Sequence, residues 1–272
     1  MHDLSTLMLM LVLLLVLGAF AGVIAGLLGV GGGIVLVPGF FFVFEHLGYG
    51  GPQLMQVCLA TSLATIIVTS VRSVLSHHRR GAVDWAVLRG WSLYIGGGAV
   101  VGMLVAASLR SATLQLIFGV LALLAGLYMA FGRSDWRLGA QMPTGGLRAG
   151  IGTVMGFFSV LMGIGGGTFG VPVMSLYSLA IHRAVATAAG FGLIIAVPSV
   201  VGFLLMDVPV SPPYTLGAVN VPAFAVIISM TLLTAPLGVK LAHRTDAAPL
   251  KRLFALFITV VALNMLRKVA GY

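Results

Sequence analysis

Gly29-Val30-Gly31-Gly32-Gly33-Ile34-Val35-Leu36-Val37-Pro38 recurs as Gly163-Ile164-Gly165-Gly166-Gly167-Thr168-Phe169-Gly170-Val171-Pro172, 134 positions further on (29 to 163). Each copy breaks an apolar stretch with a glycine cluster and follows it with a short apolar piece, 34–44 and 168–181. Other pairs keep nearly the same spacing. Gly81-Ala82-Val83-Asp84 parallels Gly217-Ala218-Val219-Asn220 at 136 positions (81 to 217), as do Gly102 with Gly238 and Leu114 with Leu250. Ala60-Thr61 matches Ala186-Thr187 at 126 (60 to 186), which requires loops of different length. The chain therefore reads as two copies of one unit, 1–131 and 147–272, joined by the polar stretch 132–146.

Composition says what medium the two copies occupy. Of 272 residues, 15 are Lys or Arg and 6 are Asp or Glu, so 8% are charged and 60% hydrophobic. Mean hydropathy is +1.13. Too few charges remain to cover a water-exposed surface, and disorder requires the opposite composition. Unbroken apolar runs such as Leu7 to Leu17 and Leu114 to Phe131 exclude a transmembrane barrel, whose strands alternate. The expected fold is an all-α integral membrane protein. Long apolar segments fall at about 4–28, 54–76, 86–109, 113–131, 147–162, 184–206, 217–240 and 250–267. With the two short pieces this makes about 8–10 membrane segments, three full spans and one broken helix pair per copy. The start, Met1-His2-Asp3, carries no Lys or Arg and leads into about 25 apolar residues, too many for a cleaved signal peptide, so it reads as a retained first segment. Cys58 stands alone and excludes an intrachain disulfide.

The net charge of +9 reads as topology rather than as nucleic-acid binding, because Lys and Arg collect on the cytoplasmic side. With the N-terminus outside and an odd number of crossings per copy, Arg72 and the basic residues within 79–89, 133–148, 183 and 240–252 fall inside. Arg110, Arg267 and Lys268 fall outside. A parallel arrangement would strand one basic cluster on the wrong face, so the copies are expected to be inverted. The linker 132–146 is then cytoplasmic. Charge counting leaves open whether each broken pair makes two thin crossings or a re-entrant hairpin.

Paired breaks at corresponding positions of inverted halves mark a transporter binding site. Glycines leave backbone N–H groups unshielded, and the helices starting at Ile34 and Thr168 aim their positive ends at the breaks. Gly31, Gly32, Gly33 and Ile34 with Gly165, Gly166, Gly167 and Thr168 would form a cage of amide donors for an oxyanion. A nucleotide reading fails because no Gly-Lys-Ser/Thr follows either cluster. Scattered glycines such as Gly96 to Gly98, and the Gly22/Gly26 GxxxG pattern, read as helix packing.

The doubled glycine motif, Ala60-Thr61-Ser62-Leu63 and His77-His78-Arg79-Arg80-Gly81-Ala82-Val83-Asp84-Trp85 resemble the TauE/SafE sulfite-exporter family of membrane permeases. The resemblance covers nearly the whole chain. It implies a bacterial inner-membrane protein that moves sulfite, sulfoacetate or a similar sulfonate, with export as the expected direction. The second copy departs from the pattern, with Asn220-Val221 in place of Asp-Trp and Ala188-Ala189 after Thr187 in place of Ser-Leu.

Thr61, Ser62, Thr65 and Thr187 are candidate hydroxyl donors to the anion, set against the usual bond of a helical Ser or Thr to its own preceding carbonyl. Arg72, one turn inside a segment end, either snorkels to the interface or contacts the anion on its route. All six acids and all six histidines fall at segment ends or in loops. A proton relay or sodium site usually shows a carboxylate at depth, so the expected carrier is a uniporter, or one whose substrate brings its own proton. No catalytic residue, metal ligand set or cofactor is expected, and the chain does not read as an enzyme. The partners are a small anionic substrate and membrane lipids, with no nucleic acid and a second copy of the chain left open. A membrane scaffold or assembly protein, or a small-anion channel, is the alternative.

Overall fold

The computed structural model describes residues 4–28, 32–131, 136–242 and 247–271. Its helices in chain order are α1 (Leu4–Leu28), α2 (Gly33–His46), α3 (Leu54–Arg79), α4 (Trp85–Ser108), α5 (Ser111–Phe131), α6 (Gly145–Leu161), α7 (Gly167–Leu176), α8 (Ile181–Leu204), α9 (Val221–Ala242) and α10 (Ala247–Val269). Among the described residues, six helices are long and apolar enough to cross a membrane: α1, α3, α4, α5, α8 and α9. At 1.5 Å per residue the 26 residues of α3 span about 39 Å, while the ten of α7 reach about 15 Å, half of a bilayer core. The chain is an all-α multi-pass membrane protein. A helix bathed in lipid needs no polar face, and α1 and α4 accordingly expose Val16, Leu93 and Leu104.

Two boundaries differ from the sequence reading. The apolar piece 168–181 is not continuous: α7 ends at Leu176, Ser178 takes φ +66°, and α8 starts at Ile181. The segment read as starting at 217 opens instead with a small antiparallel hairpin, β1 (Thr215–Leu216) and β2 (Val219–Asn220), before α9. Gly217 makes that turn at φ +57°, with no room for a Cβ beside the Leu204 carbonyl, and Ala218 N–H donates to the Phe203 carbonyl at 2.9 Å. So short a strand pair carries no periodic signal.

The halves interlock. The closest pairings are α1 with α9, α4 with α6, α5 with α10, α3 with α8, and α4 with α8. Setting α1–α5 against α6–α10 exchanges the first two pairings with each other and returns the third and fourth to themselves. Glycines make the first two possible. On α1, Gly18 and Gly22 lie against Met230 and Thr231 of α9. On α6, Gly152 and Gly156 lie against Tyr94, Ile95 and Ala99 of α4. Gly18 and Gly22 stand 134 positions before Gly152 and Gly156, the spacing of the glycine breaks. Small residues let backbones approach where apolar burial against lipid offers no drive to associate.

A Cβ on Gly156 would collide with the Ile95 carbonyl and come within 2.9 Å of Ala99 N, whereas one on Gly97 meets nothing within 4 Å. Gly156→Ala should lose about 1–3 kcal/mol through overpacking. Gly97→Ala should gain about 0.5–1 kcal/mol from helix propensity. Thermal unfolding in detergent of the two variants should move in opposite directions.

Candidate functional site

α3 and α8 run through the centre, their spans 78% and 61% buried against 28% for α1. Nearly all buried hydroxyls of the described residues lie on these two helices or beside them: Thr61, Ser62, Thr65 and Ser70 on α3, Thr187 and Ser199 on α8, Ser159 on α6. Burying a hydroxyl costs free energy unless it is bonded, so their placement marks where polar chemistry is kept.

Two helix–break–helix hairpins meet at this centre from opposite ends of the bundle. In the first, α2 folds back along α1, bringing Gly39 onto Leu17, and its outer end is tied to α10 by the Lys268–Glu45 ion pair. In the second, α7 folds back beside α6. Its base lies near the other end, where Leu138 N–H donates to the Leu176 carbonyl at 2.7 Å and Arg183 pairs with Asp84 at 3.2 Å. The tips touch. A Cβ on Gly33 would stand 2.7 Å from the Gly163 carbonyl oxygen and 3.0 Å from Ile164 Cα.

The second tip is built by a Schellman end. Gly163, at φ +60°, donates to the Val160 carbonyl at 2.9 Å, and Ile164 N–H donates to the Ser159 carbonyl at 2.9 Å. The chain then turns straight into α7, whose cap residue Gly166 accepts from Gly170 N–H at 2.8 Å. Gly32 caps α2 in the same way, accepting from Val35 and Leu36 at 3.0 and 2.9 Å. In both helices the first-turn N–H groups have no intrahelical carbonyl, and the helix dipole adds positive potential there.

The sequence-predicted residues divide. Gly32, Gly33, Ile34, Gly165, Gly166, Gly167 and Thr168 lie at the meeting tips, while Gly31 lies outside the described residues. Ile34 is buried, and a Cβ on Gly165 would stand 3.2 Å from Ile66 Cγ2 and 3.7 Å from Gly192 Cα. Ser62 joins them by donating to the Gly163 carbonyl at 2.7 Å, so α3 holds the second tip.

Thr61 and Thr187 do something else. Thr61 Oγ1 accepts from Asn220 N–H at 3.0 Å, and Thr187 Oγ1 accepts from Asp84 N–H at 2.9 Å. Asp84 and Asn220 cap α4 and α9: Asp84 Oδ1 accepts from Ala86 and Val87 N–H, and Asn220 Oδ1 from Ala223 N–H. Each threonine thus ties its central helix to a helix start in the other half. Arg72 is exposed near the end of α3 and, among the described residues, forms no ion pair or hydrogen bond with the tips.

The sequence reading found neither Ser159 as a site residue nor the two caps. Asp84 before the apolar run at Trp85, and Asn220 before Val221-Pro222, are start signals that could have found the caps.

Comparison with known proteins places this arrangement. Residues 14–265 match the family described as sulfite exporter TauE/SafE. A protein of Haemophilus influenzae named "Probable membrane transporter protein" is 30% identical over 262 residues, covering 95% of this chain and 98% of its own length. A similarly named protein of Methanocaldococcus jannaschii is 25% identical over 264 residues, covering 95% and 96%. One from Bacillus subtilis is 31% identical over 188 residues, covering 62% and 68%. No solved structure matches.

Proposed function

The chain belongs to the TauE/SafE sulfite exporter family and is a membrane transporter; from that premise we propose that it exports a small sulfur-containing oxyanion, sulfite or a sulfonate such as sulfoacetate. The anion is held where the two hairpin tips meet and is released to either face by alternating access between the two halves. The protein sits in the bacterial inner membrane with its N-terminus in the periplasm, and no step is enzymatic.

The observation that carries this reading is the contact of Gly33 with Gly163 and Ile164. It sets the start of α2 against the break that leads, three residues on, into α7, so the first turns of two helices would face one place. Desolvating an oxyanion is costly unless several donors replace its water. Charge-assisted bonds to backbone N–H supply that replacement and attract anions without a fixed cation. Without an ion pair to break, the anion can also leave.

Coupling follows from the acids. Among the described residues Glu45 and Asp207 are exposed, and Asp84 caps α4 at a helix end. No described carboxylate is sited to carry a coupling ion through the core, which supports uniport.

Reconstitution in liposomes tests the reading. Flux of sulfite, sulfate, thiosulfate, sulfoacetate and taurine is measured with and without a pH gradient. Saturable flux of sulfite or sulfoacetate, driven by its own gradient, is expected. Absence of flux for all five would remove the proposal.

A further inference from the structure

Two hydroxyls at the second glycine break have no hydrogen-bond partner although both are shut away from solvent: Ser159 Oγ and Thr168 Oγ1. Ser159 is 1% exposed. Several helical hydroxyls of this protein are satisfied by their own preceding turn, as Ser199 is by the Ile195 carbonyl at 2.7 Å and Thr234 by the Met230 carbonyl at 2.8 Å, whereas Ser175, two turns beyond Thr168 on α7, is a further buried hydroxyl without a partner. A pair of orphans in one place calls for a missing partner.

Their positions converge on the start of α7. Ser159 lies one turn beyond Met155 on α6, so the two share a face. Met155 Cε is 3.5 Å from where a Cβ of Gly170 would stand, which turns that face toward α7, and Ser159 sits one turn nearer the break. The Ser159 carbonyl itself closes the break by accepting from Ile164 N–H. Thr168 is the second residue of α7, among the N–H groups that lack an intrahelical carbonyl. The first break has nothing comparable: at the same 134-residue spacing Ser159 corresponds to Ala25 and Thr168 to Ile34.

We infer that Ser159 and Thr168 are the side-chain ligands of the transported oxyanion, and that the site is one-sided. The second break receives the anion's oxygens through two hydroxyl donors and the first-turn N–H groups of α7. The start of α2 covers it with the apolar side chain of Ile34. Two neutral donors suit an anion with at least two free oxygens on one centre, such as sulfite or a sulfonate. This assignment rests on the transport reading above.

Thermal unfolding of wild type, Ser159→Ala and Thr168→Ala in detergent, with and without sulfite, sulfate, thiosulfate, sulfoacetate and taurine, tests it. Without anion, Ser159→Ala should unfold at a higher temperature than wild type, because it removes an unsatisfied buried group. With the stabilising anion its apparent Kd should rise about tenfold or more, the loss of one hydrogen bond to a charged ligand. The loss of affinity is the result that a serine without an anion ligand would not give. Unchanged anion affinity in both variants overturns the assignment and leaves the transport reading standing. Failure of wild type to bind any of the five overturns both.

Discussion

Gly166→Ala should abolish anion flux, while Gly32→Ala, at the corresponding position of the other motif, should leave it within a few-fold of wild type. The motif treats the two glycines alike; their surroundings do not. A Cβ on Gly166 would run into Phe191 Cβ and stand 2.6 Å from the Ala188 carbonyl oxygen and 3.0 Å from Gly192 N. Those atoms belong to the backbone of α8 or to the root of a side chain that is itself buried, so no rotamer change relieves the clash. The start of α7 must move off α8 instead. A Cβ on Gly32 meets only the Ala21 carbonyl at 3.3 Å and the Ala21 methyl at 3.5 Å, which a shift of a few tenths of an ångström accommodates.

The penalty at Gly166 falls on positioning. Displacing converging donors by about 1 Å costs roughly a hundredfold in an enzyme site, and the same sensitivity is expected of an anion held mainly by backbone N–H groups. Flux in liposomes, normalised to protein that remains folded, provides the measurement. Equal losses in the two variants would mean that the tips are not arranged as the structure has them.

This contrast marks how far the sequence could be read. The second helix break was legible because a break inside an apolar segment has few solutions, and glycine at Gly163 must reach φ +60°. The medium was legible from charge. The unequal packing of the two tips was not, since it depends on which face of α8 meets α7, and Phe191 carries no mark that it will lie against Gly166. The packing stripe runs one turn further back than the GxxxG pattern marks: Gly18 lies against α9 as Gly22 does. The departures in the second half mislead in a different way. Asn220 in place of aspartate looks like a lost side chain, yet its Oδ1 caps α9 as the Asp84 carboxylate caps α4. Asn and Asp are close equivalents at an N-cap, so the substitution keeps the role and drops the charge. The hydroxyls of Thr61 and Thr187 were legible as polar groups at depth. Their partners, 159 and 103 residues away in sequence, were not.

Thr61→Val is expected to open one end of the protein, and the single native cysteine reports it. Thr61 Oγ1 accepts the N–H of Asn220, a residue with no exposed surface. Valine matches the shape of threonine but leaves that N–H without a partner, at a cost of about 1–3 kcal/mol. The strain falls on the junction between α3 and the start of α9, which joins the two halves. Cys58, wholly buried, lies one turn before Thr61 on the same helix. Local opening of the junction exposes it. Labelling of Cys58 by maleimide should therefore speed up about tenfold, as 1.4 kcal/mol of lost closure implies. Thr61→Ser should restore the wild-type rate, because serine presents the same acceptor oxygen.

The related substitution at the other junction is the control. Thr187→Val frees the N–H of Asp84, but the Asp84 side chain is 18% exposed and still pairs with Arg183 at 3.2 Å. Water can reach the freed N–H, and the cross-junction ion pair remains, so the loss is smaller and lies at the opposite end of α3 from Cys58. Its labelling should match wild type. Two junctions of the same design, one buried and neutral and the other wetted and charged, need not open with equal ease. If Thr61→Val and Thr187→Val label Cys58 at the same rate, the two threonine bonds do not hold the halves together at their ends.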